Sequence, residues 1–414
     1  MSYSKNKIIN DPIYGFISIH FNIIWELIEH PNFQRLRRIS QLGLSSLVYP
    51  GANHSRFHHA IGAMHLMNRA IETLKHKGVT ISKKEHESSL IAILLHDIGH
   101  GPFSHALENT IVNNISHEQI SLMFMHKLNV EFKGKLSLAI SIFQKKYKKK
   151  FLFQLISSQL DVDRLDYLNR DSFYSGVNEG IINYNRIITM LNVYNNELVV
   201  DYKGIHSIEK FIIARKLMYW QVYLHKTVLS AEYTLMYILR RAKALATSDH
   251  AIFSTKAFKT FLYEKKDITS NFFEKKHLLH HFALLDDYDI LSSIKEWCNS
   301  DDKVLSLLSN KIIKRELLKI SKIEPKDKSL QLKKLREIAM EIFNINRKEV
   351  QYLVFPISVE NETYNLIEDE ITLLKKDMTI VKLSEIKHEF NINTKNARII
   401  KHYICYPKEC LINL

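Results

Sequence analysis

The segment LIAILLHDIGHGPFSH (residues 90–105) ends a run of apolar residues with a group of imidazole and carboxylate side chains. His96 and Asp97 are adjacent, so together they offer one nitrogen and one oxygen ligand. Imidazole nitrogen suits first-row transition metals, whereas carboxylate oxygen also suits Mn and Mg. A His-Asp pair alone is weak evidence, since it occurs by chance in many chains. The segment therefore suggests a divalent metal site that needs further ligands from elsewhere.

Two other segments can supply such ligands. RFHHAIG (residues 56–62) carries the neighbouring His58 and His59, and LDVDRLDYLNRD (residues 160–171) carries several aspartates. The presence of all three segments in one chain is much more specific than any of them alone. We expect the three to meet at one metal-binding site.

Helices are expected to position these residues. Long parts of the chain show apolar residues at helical spacing, and the 11 Gly and 7 Pro are few for 414 residues. The first helix would place Arg35, Arg37 and Arg38 away from its apolar face. Residues 8–20 predict a turn at Asp11–Pro12 followed by a short strand. We predict helices at about 21–43, 57–77, 85–98, 117–128, 151–171 and 205–247.

The composition changes along the chain and divides it into three predicted parts. Residues 1–247 are a predicted helical unit that contains all three segments. Residues 248–345 are a charged, helical extension with a break predicted near Pro325. Residues 346–414 are richer in β-branched residues, as in VQYLVFPISV. The predicted fold class is therefore mostly α, with a small α+β C-terminal region.

The net charge of +14 and the pI near 9.3 favour anionic partners such as nucleotides, nucleic acid or acidic lipid. The 3 cysteines form no CxxC pair, which argues against disulfides and thiolate metal sites and fits a reducing cytoplasm. The sequence shows neither an apolar leader nor a stretch of about 18 apolar residues. We therefore expect a cytoplasmic protein that does not enter a membrane.

Taken together, the three segments resemble those of the HD-domain phosphohydrolases, and in particular the branch that contains the deoxynucleoside triphosphate triphosphohydrolases. The resemblance covers about residues 7–247 and implies an HD-type helical fold. His58 competes with His59 as a ligand, but the family pattern places the ligand directly before the small-x-Gly of HAIG. The metal identity stays open among Mn, Fe, Zn and Mg, and Mg is expected to accompany a triphosphate. The four metal ligands that the resemblance implies are His59, His96, Asp97 and Asp163.

Four further side chains are candidates for catalysis. His100 and His105 lie beyond the metal pair and are free to move protons near neutral pH once the ligand positions are filled. Glu108 lies three residues after His105 and is expected to orient it, at a position where the family has Asp. His117 follows Ser116 in SHEQ, a capping-box pattern that puts it at a helix N-terminus. The resemblance makes His117 the remaining active-site histidine.

The resemblance also assigns a set of residues to the substrate. The three arginines match contacts to a triphosphate, with Arg164 in place of a lysine of the family. A solvated salt bridge is the alternative for Arg215. Tyr223 matches a wall that excludes a bulky 2′ substituent, and the remaining four residues match the surroundings of a sugar. The complete set is Gln41, Leu42, Arg56, Arg164, Tyr167, Asp171, Arg215 and Tyr223.

The implied activity is hydrolysis of a deoxynucleoside triphosphate to a deoxynucleoside and inorganic triphosphate. Two alternatives stay open. A phosphohydrolase or phosphodiesterase acting on another nucleotide would use the same metal site. A nucleic-acid-binding defence protein with secondary hydrolase activity would use basic runs such as the lysines of residues 145–150.

A second nucleotide site and a homo-oligomer are implied as well. Relatives bind an activating nucleotide through an N-terminal segment and a helix with the pattern Asp-x4-Gln-x2-Arg. The matching residues are Lys7, Glu29, Gln34 and Arg37, with Glu in place of Asp. The alternative is that Gln34 and Arg37 are ordinary surface residues. We expect a dimer or tetramer whose active form a bound nucleotide favours.

Overall fold

The N-terminal residues form a hairpin. The strands β1 (Lys7–Asp11) and β2 (Gly15–Ile19) pair in antiparallel orientation. Between them, Asp11 Oδ1 accepts hydrogen bonds from the backbone N–H groups of Ile13 and Tyr14, at 2.9 and 3.0 Å. Aspartate commonly closes a turn in this way, and the predicted turn is confirmed. The computed structural model describes residues 7–108, 110–112, 115–265, 276–361, 370–386 and 399–411, without the side chains of His105, Lys276, Asn361 and Ile399.

The prediction of one helix over residues 21–43 is wrong. The helix α1 (Asn22–Glu29) is followed by the single turn of α2 (Pro31–Gln34) and then by a 3₁₀ turn (Arg35–Arg38). His30 has an extended backbone with ψ 134°, because the proline that follows it disfavours helical geometry. The residues after the break are therefore oriented differently from those of a continuous helix.

This break buries Arg35, which the helical pattern places on a solvated face. Its side chain is fully buried, and its guanidinium lies near the rings of Phe124 and Phe282. Arg37 and Arg38 are exposed, as expected. The expectation for Arg35 is wrong because a 3₁₀ turn advances about 120° per residue instead of about 100°.

The middle of the chain supplies the helices around the three segments. The helix predictions at 57–77, 85–98 and 117–128 are confirmed. These helices are α3 (Arg56–His76), α4 (Lys83–Leu95), α5 (Ser104–Glu108), α6 (His117–Glu131), α7 (Ser137–Phe143), α8 (Lys150–Gln154), α9 (Val162–Ser175), α10 (Tyr184–Met190), α11 (Ile205–Met218) and α12 (Lys226–Thr247). The helix α3 packs against α4 and α9, so the RFHHAIG and LDVDRLDYLNRD segments lie side by side.

Two other predicted helices are interrupted. The prediction at 151–171 becomes α8 and α9, because Asp161 begins a new helix by accepting a hydrogen bond from the backbone N–H of Arg164 at 2.7 Å. The prediction at 205–247 becomes α11 and α12, which a π-helical turn (Tyr219–Tyr223) separates. Turns of this kind are frequent at functional sites.

The remaining described residues add helices and two small sheets. The helices are α13 (Lys256–Leu262), α14 (Lys276–Leu284), α15 (Asp287–Trp297), α16 (Lys303–Ile313), α17 (Lys328–Phe343) and α18 (Val350–Leu353). The strands are β3 (Leu191–Tyr194), β4 (Glu197–Asp201), β5 (Lys319–Lys322), β6 (Phe355–Asn361), β7 (Thr372–Leu374), β8 (Ile380–Lys382) and β9 (Ile399–Tyr406). The fold is mostly α with small sheets, as the sequence predicts. Among the described residues, we find no helix with the length and apolar character needed to cross a membrane.

The sheets join distant parts of the chain. One has the order β3–β4–β7–β8, in which Val200 of β4 pairs with Leu373 of β7 in parallel orientation. The other has the order β5–β9–β6 and is antiparallel. The first and third predicted parts of the chain therefore share a sheet, and the boundaries at residues 247 and 345 stay predictions.

Candidate metal centre

The start of α3 separates the roles of two neighbouring histidines. Ser55 is the N-cap residue, and its backbone N–H donates to His58 Nδ1 at 3.2 Å. His58 therefore satisfies a backbone group at the helix end. His59, one residue further along the helix, is only 1% exposed and points toward α9.

The end of α4 places His96 and Asp97 beside His59. The last turn of α4 is apolar and buried, so the pair emerges from the core rather than from the surface. His96 Nδ1 donates to the carbonyl of Ile93 at 2.6 Å. Its Nε2 therefore carries the free lone pair, which is the atom that binds a metal in most imidazole ligands.

The four predicted ligands converge. Asp163 Oδ1 lies 3.0 Å from His59 Nε2 and 3.5 Å from His96 Nε2, and Asp97 Oδ1 lies 3.3 Å from His96 Nε2. Both Nε2 atoms are buried, and neither has a hydrogen-bond partner in the described part of the chain. Two unpartnered nitrogens facing two carboxylates form a donor set that fits a divalent first-row metal.

The electrostatics of the centre favour a cation. Burial alone would lower the pKa of His59, but the carboxylates of Asp163 and Asp166 outweigh it and raise the pKa to about 10. For Asp163, the neighbouring His59 and His96 overcome the effect of burial and hold the pKa well below its usual value. The centre thus attracts positive charge, and a metal ion would compete there with a proton.

A second group of imidazoles borders the centre. His100 Nε2 lies 3.3 Å from Asp97 Oδ1, and the His100 ring stacks on that of His117 with centroids 3.9 Å apart. Burial and the nearby Arg56 cation hold the pKa of His100 well below its usual value, so its ring is neutral at pH 7. Glu108 Oε1 lies 3.3 Å from His117 Nδ1.

The side chain of His105, the predicted partner of Glu108, lies outside the described residues. The capping box predicted at Ser116 is confirmed. Its backbone N–H donates to Gln119 Oε1 at 3.0 Å, and the Gln119 N–H donates back to Ser116 Oγ at 3.2 Å. His117 is thereby held in the first turn of α6.

A glycine brings the two groups together. Gly99 follows the metal pair, and its N–H donates to Ser121 Oγ at 2.9 Å. A Cβ atom at this position would overlap the backbone of α6 at His117 and Ser121. The glycine therefore permits the loop to approach α6 closely enough for His100 to reach His117.

Of the three arginines assigned to a triphosphate, Arg56 contacts a predicted metal ligand directly. Arg56 Nη1 donates to Asp97 Oδ2 at 2.7 Å, Arg164 contacts Asp161, and Arg215 Nη1 donates to Gln159 Oε1 at 3.0 Å. Each of the three guanidinium groups keeps one buried Nε–H without an acceptor in the described part of the chain. Unpaired buried donors on cations are suited to bind an anion.

Asp171 is fixed from both sides on the predicted sugar side of the site. His54 Nε2 lies 2.8 Å from its Oδ1, and the Tyr223 hydroxyl donates to its Oδ2 at 2.7 Å. The Tyr167 ring makes an edge contact with Tyr223, with centroids 6.2 Å apart. The structure therefore brings together three of the residues that the sequence assigns to a sugar.

The segment with Gln41 and Leu42 is held by two carboxylates, of which Asp287 is buried and Glu232 is partly buried. Asp287 Oδ2 accepts from the Ser40 N–H, and Glu232 Oε1 accepts from the N–H of Leu44, both at 2.8 Å. The Gln41 side-chain carbonyl is buried and has no partner among the described residues. Leu42 is partly buried against the core.

The sequence does not single out His54 or Asp166 as site residues, although both contact predicted ones. Asp166 carries a local signal, because it lies three residues after Asp163 on one helix and so faces the same side. His54 carries none, since its partner Asp171 is 117 residues away.

The residues of the predicted second nucleotide site are partly in contact. Arg37 Nε donates to Gln34 Oε1 at 2.8 Å, and the Lys7 ammonium lies 4.2 Å from the centre of the Trp25 ring. Among the described residues, no hydrogen bond or ion pair joins Lys7 or Glu29 to that pair.

The charge of the lysine run at residues 145–150 is partly neutralised, since Lys149 and Lys150 pair with Glu85 and Glu197.

Comparison with known proteins assigns the chain to a family. Residues 56–171 match the HD domain, and residues 182–258 match the HD associated region. A solved phosphohydrolase from Bacteroides thetaiotaomicron superposes with a TM-score of 0.93 at 47% identity, over 97% of this chain and 100% of that one. The chain belongs to the HD-domain phosphohydrolase family. The HD domain match contains all four predicted metal ligands of this HD-domain protein.

Other relatives of this HD-domain protein differ in how much is known of them. An uncharacterized protein of Bacillus subtilis is 35% identical over 334 residues, which are 78% of this chain and 74% of that protein. The human deoxynucleoside triphosphate triphosphohydrolase is 31% identical over 264 residues, 53% of this chain and 42% of that one. The match to the human enzyme spans less than half of that protein. It therefore supports the assignment of this chain to the hydrolases but does not identify its substrate.

Proposed function

We propose that this HD-domain protein hydrolyses deoxynucleoside triphosphates to deoxynucleosides and inorganic triphosphate. The observations that support it most are the contact of Arg56 with the metal ligand Asp97 and, on each of Arg56, Arg164 and Arg215, a buried Nε–H without an acceptor among the described residues. Three such donors suit a polyphosphate better than a single phosphate group.

The metal centre would provide the attack on phosphorus. His59, His96, Asp97 and Asp163 would hold the ion, which when bound polarises a phosphoryl oxygen and lowers the pKa of a water molecule. Arg56 already contacts the ligand Asp97, so it can bind a phosphate oxygen next to the ion. Arg164 and Arg215 would bind the remaining phosphate groups of the triphosphate, together with Mg.

The leaving 5′ oxygen needs a proton. His100 is neutral at pH 7 and its Nδ1 lies 2.8 Å from Ser104 Oγ, so it is a poor proton donor. We assign the proton to His105, as the family resemblance implies. The other two catalytic candidates, His117 and Glu108, contact each other. The stacked ring of His100 would then keep His117 in place.

The sugar side of the site would select deoxyribose. Because His54 and Tyr223 fix the Asp171 carboxylate, it can accept a hydrogen bond from a sugar hydroxyl in one defined position. Tyr223 and Tyr167 would form the wall against a 2′ substituent, and Gln41 and Leu42 would line the sugar. A rigid polar contact combined with a tight wall discriminates more strongly than an apolar pocket alone.

Turnover of defined nucleotides tests the proposal. The purified protein is incubated with the four dNTPs, the NTPs or cyclic dinucleotides, each with Mn, Fe, Zn or Mg, and the products are separated by chromatography. Deoxynucleoside and triphosphate in equal amounts are expected. Turnover of an NTP or a cyclic dinucleotide that is faster than turnover of every dNTP would show that the proposed substrate is wrong. The assignment to the hydrolases would not be affected.

We further propose a homo-oligomer, a dimer or tetramer, with an activating nucleotide at Lys7, Glu29, Gln34 and Arg37. The hydrogen bond between Gln34 and Arg37 supports it, because it holds an amide and a guanidinium side by side on the surface. Glu29 would accept hydrogen bonds from the base. A nucleotide bound there would favour the oligomer that binds it more tightly.

A further inference from the structure

A buried carboxylate lies behind the metal ligand His59. The Nδ1–H of His59 donates to Asp166 Oδ2 at 2.8 Å, so Nε2 is left for the metal. Asp166 is fully buried. A carboxylate at this place fixes the tautomer and orientation of a ligating imidazole and strengthens it as a donor.

Asp166 is in turn held by a buried arginine. Arg170 Nε and Nη2 donate to the two oxygens of Asp166, each at 2.9 Å. The remaining donor, Arg170 Nη1, reaches Asp11 Oδ2 in the N-terminal hairpin at 2.9 Å. Hydrogen bonds and two ion pairs thus connect the hairpin turn with His59 through two buried side chains.

The backbone of α3 makes room for this connection. A Cβ atom on Gly62 would overlap both Asp166 and Arg170. The glycine of the HAIG sequence, three residues after His59, therefore lets the Asp166–Arg170 pair lie directly against the helix that carries the ligand.

The charges explain why a second carboxylate is needed. Arg170 alone would neutralise Asp166 and weaken it as an acceptor for His59. Asp11 shares the guanidinium, so the three groups together keep one net negative charge behind the imidazole. In a buried place this charge is poorly screened, and it favours a divalent cation at Nε2 on the other side of the ring.

We propose that Asp11 is a positioning residue for the metal, acting through Arg170 and Asp166 on His59. The proposal rests on the metal centre of the proposed function and is independent of the nucleotide that is hydrolysed. It gives the N-terminal hairpin a role in metal affinity, although the hairpin supplies none of the four ligands.

Asp11→Asn tests the proposal in the full-length protein. Asparagine keeps the carbonyl that accepts from Ile13 and Tyr14 in the turn, but it loses the charge that faces Arg170. Mn²⁺ affinity is measured by calorimetric titration of the metal-free protein, with no nucleotide present. We expect a Kd about 3- to 10-fold weaker for Asp11→Asn and about 10- to 100-fold weaker for Asp166→Asn, the usual range for partners of metal-binding histidines.

Glu26→Gln is the matched control, because it removes one negative charge from an exposed position of α1. Its Kd for Mn²⁺ is expected to equal that of the wild type. Thermal unfolding of each metal-free variant shows that affinities are compared in folded protein. If Asp11→Asn binds Mn²⁺ as tightly as Glu26→Gln does, the proposal is overturned. A wild type that binds Mn²⁺ but hydrolyses no dNTP would instead contradict only the proposed substrate.

Discussion

Arg35 donates two hydrogen bonds that bracket Gly99, one to the carbonyl of Ile98 and one to that of His100, both at 2.9 Å. A third bond reaches the carbonyl of Leu285 at 3.1 Å. Burial lowers the pKa of Arg35 to about 9, which leaves it charged at neutral pH. A single buried cation thus shapes the loop between the metal pair and the imidazole group.

Replacing Arg35 with methionine should destabilise the protein. The change leaves three buried carbonyls without a donor, and each unpaired group costs about 1–3 kcal/mol, partly offset because a charge is no longer buried. We expect the free energy of unfolding to fall by about 3 kcal/mol, measured in urea. Arg347→Met, at an exposed position, is the control and should change it by less than about 0.5 kcal/mol. Equal effects of the two changes would contradict the anchoring role.

Asp163→Ala should abolish turnover through loss of the metal. Its Oδ1 lies 3.0 Å from His59 Nε2 and 3.5 Å from His96 Nε2, so the change removes a carboxylate oxygen that both imidazole ligands face. Metal content by mass spectrometry is expected to fall below about a tenth of the wild-type value while the circular dichroism spectrum is kept. Normal activity and metal content in this variant would show that the ligand assignment is wrong.

His105→Ala should separate chemistry from metal binding. If His105 protonates the leaving oxygen, kcat falls by about 10²–10⁴, the usual span for a general acid, and metal content does not change. Single-turnover rates and metal analysis on the same preparation measure both. Loss of the metal in this variant would move His105 into the ligand set.

The partly buried carboxyl of Glu232 should make stability depend on pH. Burial raises its pKa to about 7 from an unfolded value of 4.5, so the folded state binds the proton more tightly and stability falls as pH rises from about 4.5 to 7. Glu232→Gln keeps the carbonyl that accepts from Leu44 and removes the charge. We expect this variant to be more stable than the wild type by up to about 3 kcal/mol at pH 8, and equally stable near pH 4.5.

Urea unfolding at the two pH values measures this difference, with Glu337→Gln as the control at an exposed position. Glu337→Gln should change the free energy of unfolding by the same small amount at both pH values. A stability gain for Glu232→Gln that does not vary with pH would mean that the pKa of Glu232 is the same in the folded and the unfolded protein.

Sedimentation and turnover, each with and without GTP or dGTP, test the predicted activator. We expect added nucleotide to shift the protein toward a dimer or tetramer and to raise the rate, because the nucleotide binds that form more tightly. Arg37→Ala should remove the shift, since it breaks the pair with Gln34. A monomer whose rate ignores every nucleotide would exclude this site and leave the metal centre unaffected.

Local patterns predict the elements of the site well. The turn at Asp11, the capping box at Ser116 and the helix that carries His59 each depend on residues within a few positions of one another. Short stretches of sequence determine such local contacts. For this reason the three segments could be assigned to the starts and ends of helices.

Contacts between distant residues could not be predicted in this way. Asp287 accepts a hydrogen bond from Ser40 across 247 residues, and nothing near either residue indicates the other. The burial of Arg35 has the same origin, because a break at Pro31 and packing against Phe282 override the helical pattern. Long-range packing, which the apolar pattern cannot specify, decides these positions.

The hydrogen bonds from Arg35 to Leu285 and from Ser40 to Asp287 can form only after residues 285–287 have been synthesised. Residue 97 leaves the exit tunnel about 190 residues before residues 285–287, a delay on the order of 10–40 s at usual rates of synthesis. Until then, Arg35, which anchors the loop after the metal pair, lacks its acceptor at Leu285, and the backbone N–H of Ser40 lacks its acceptor at Asp287. The hydrolytic centre therefore matures late in translation, and the nascent chain spends that time with a partly open core.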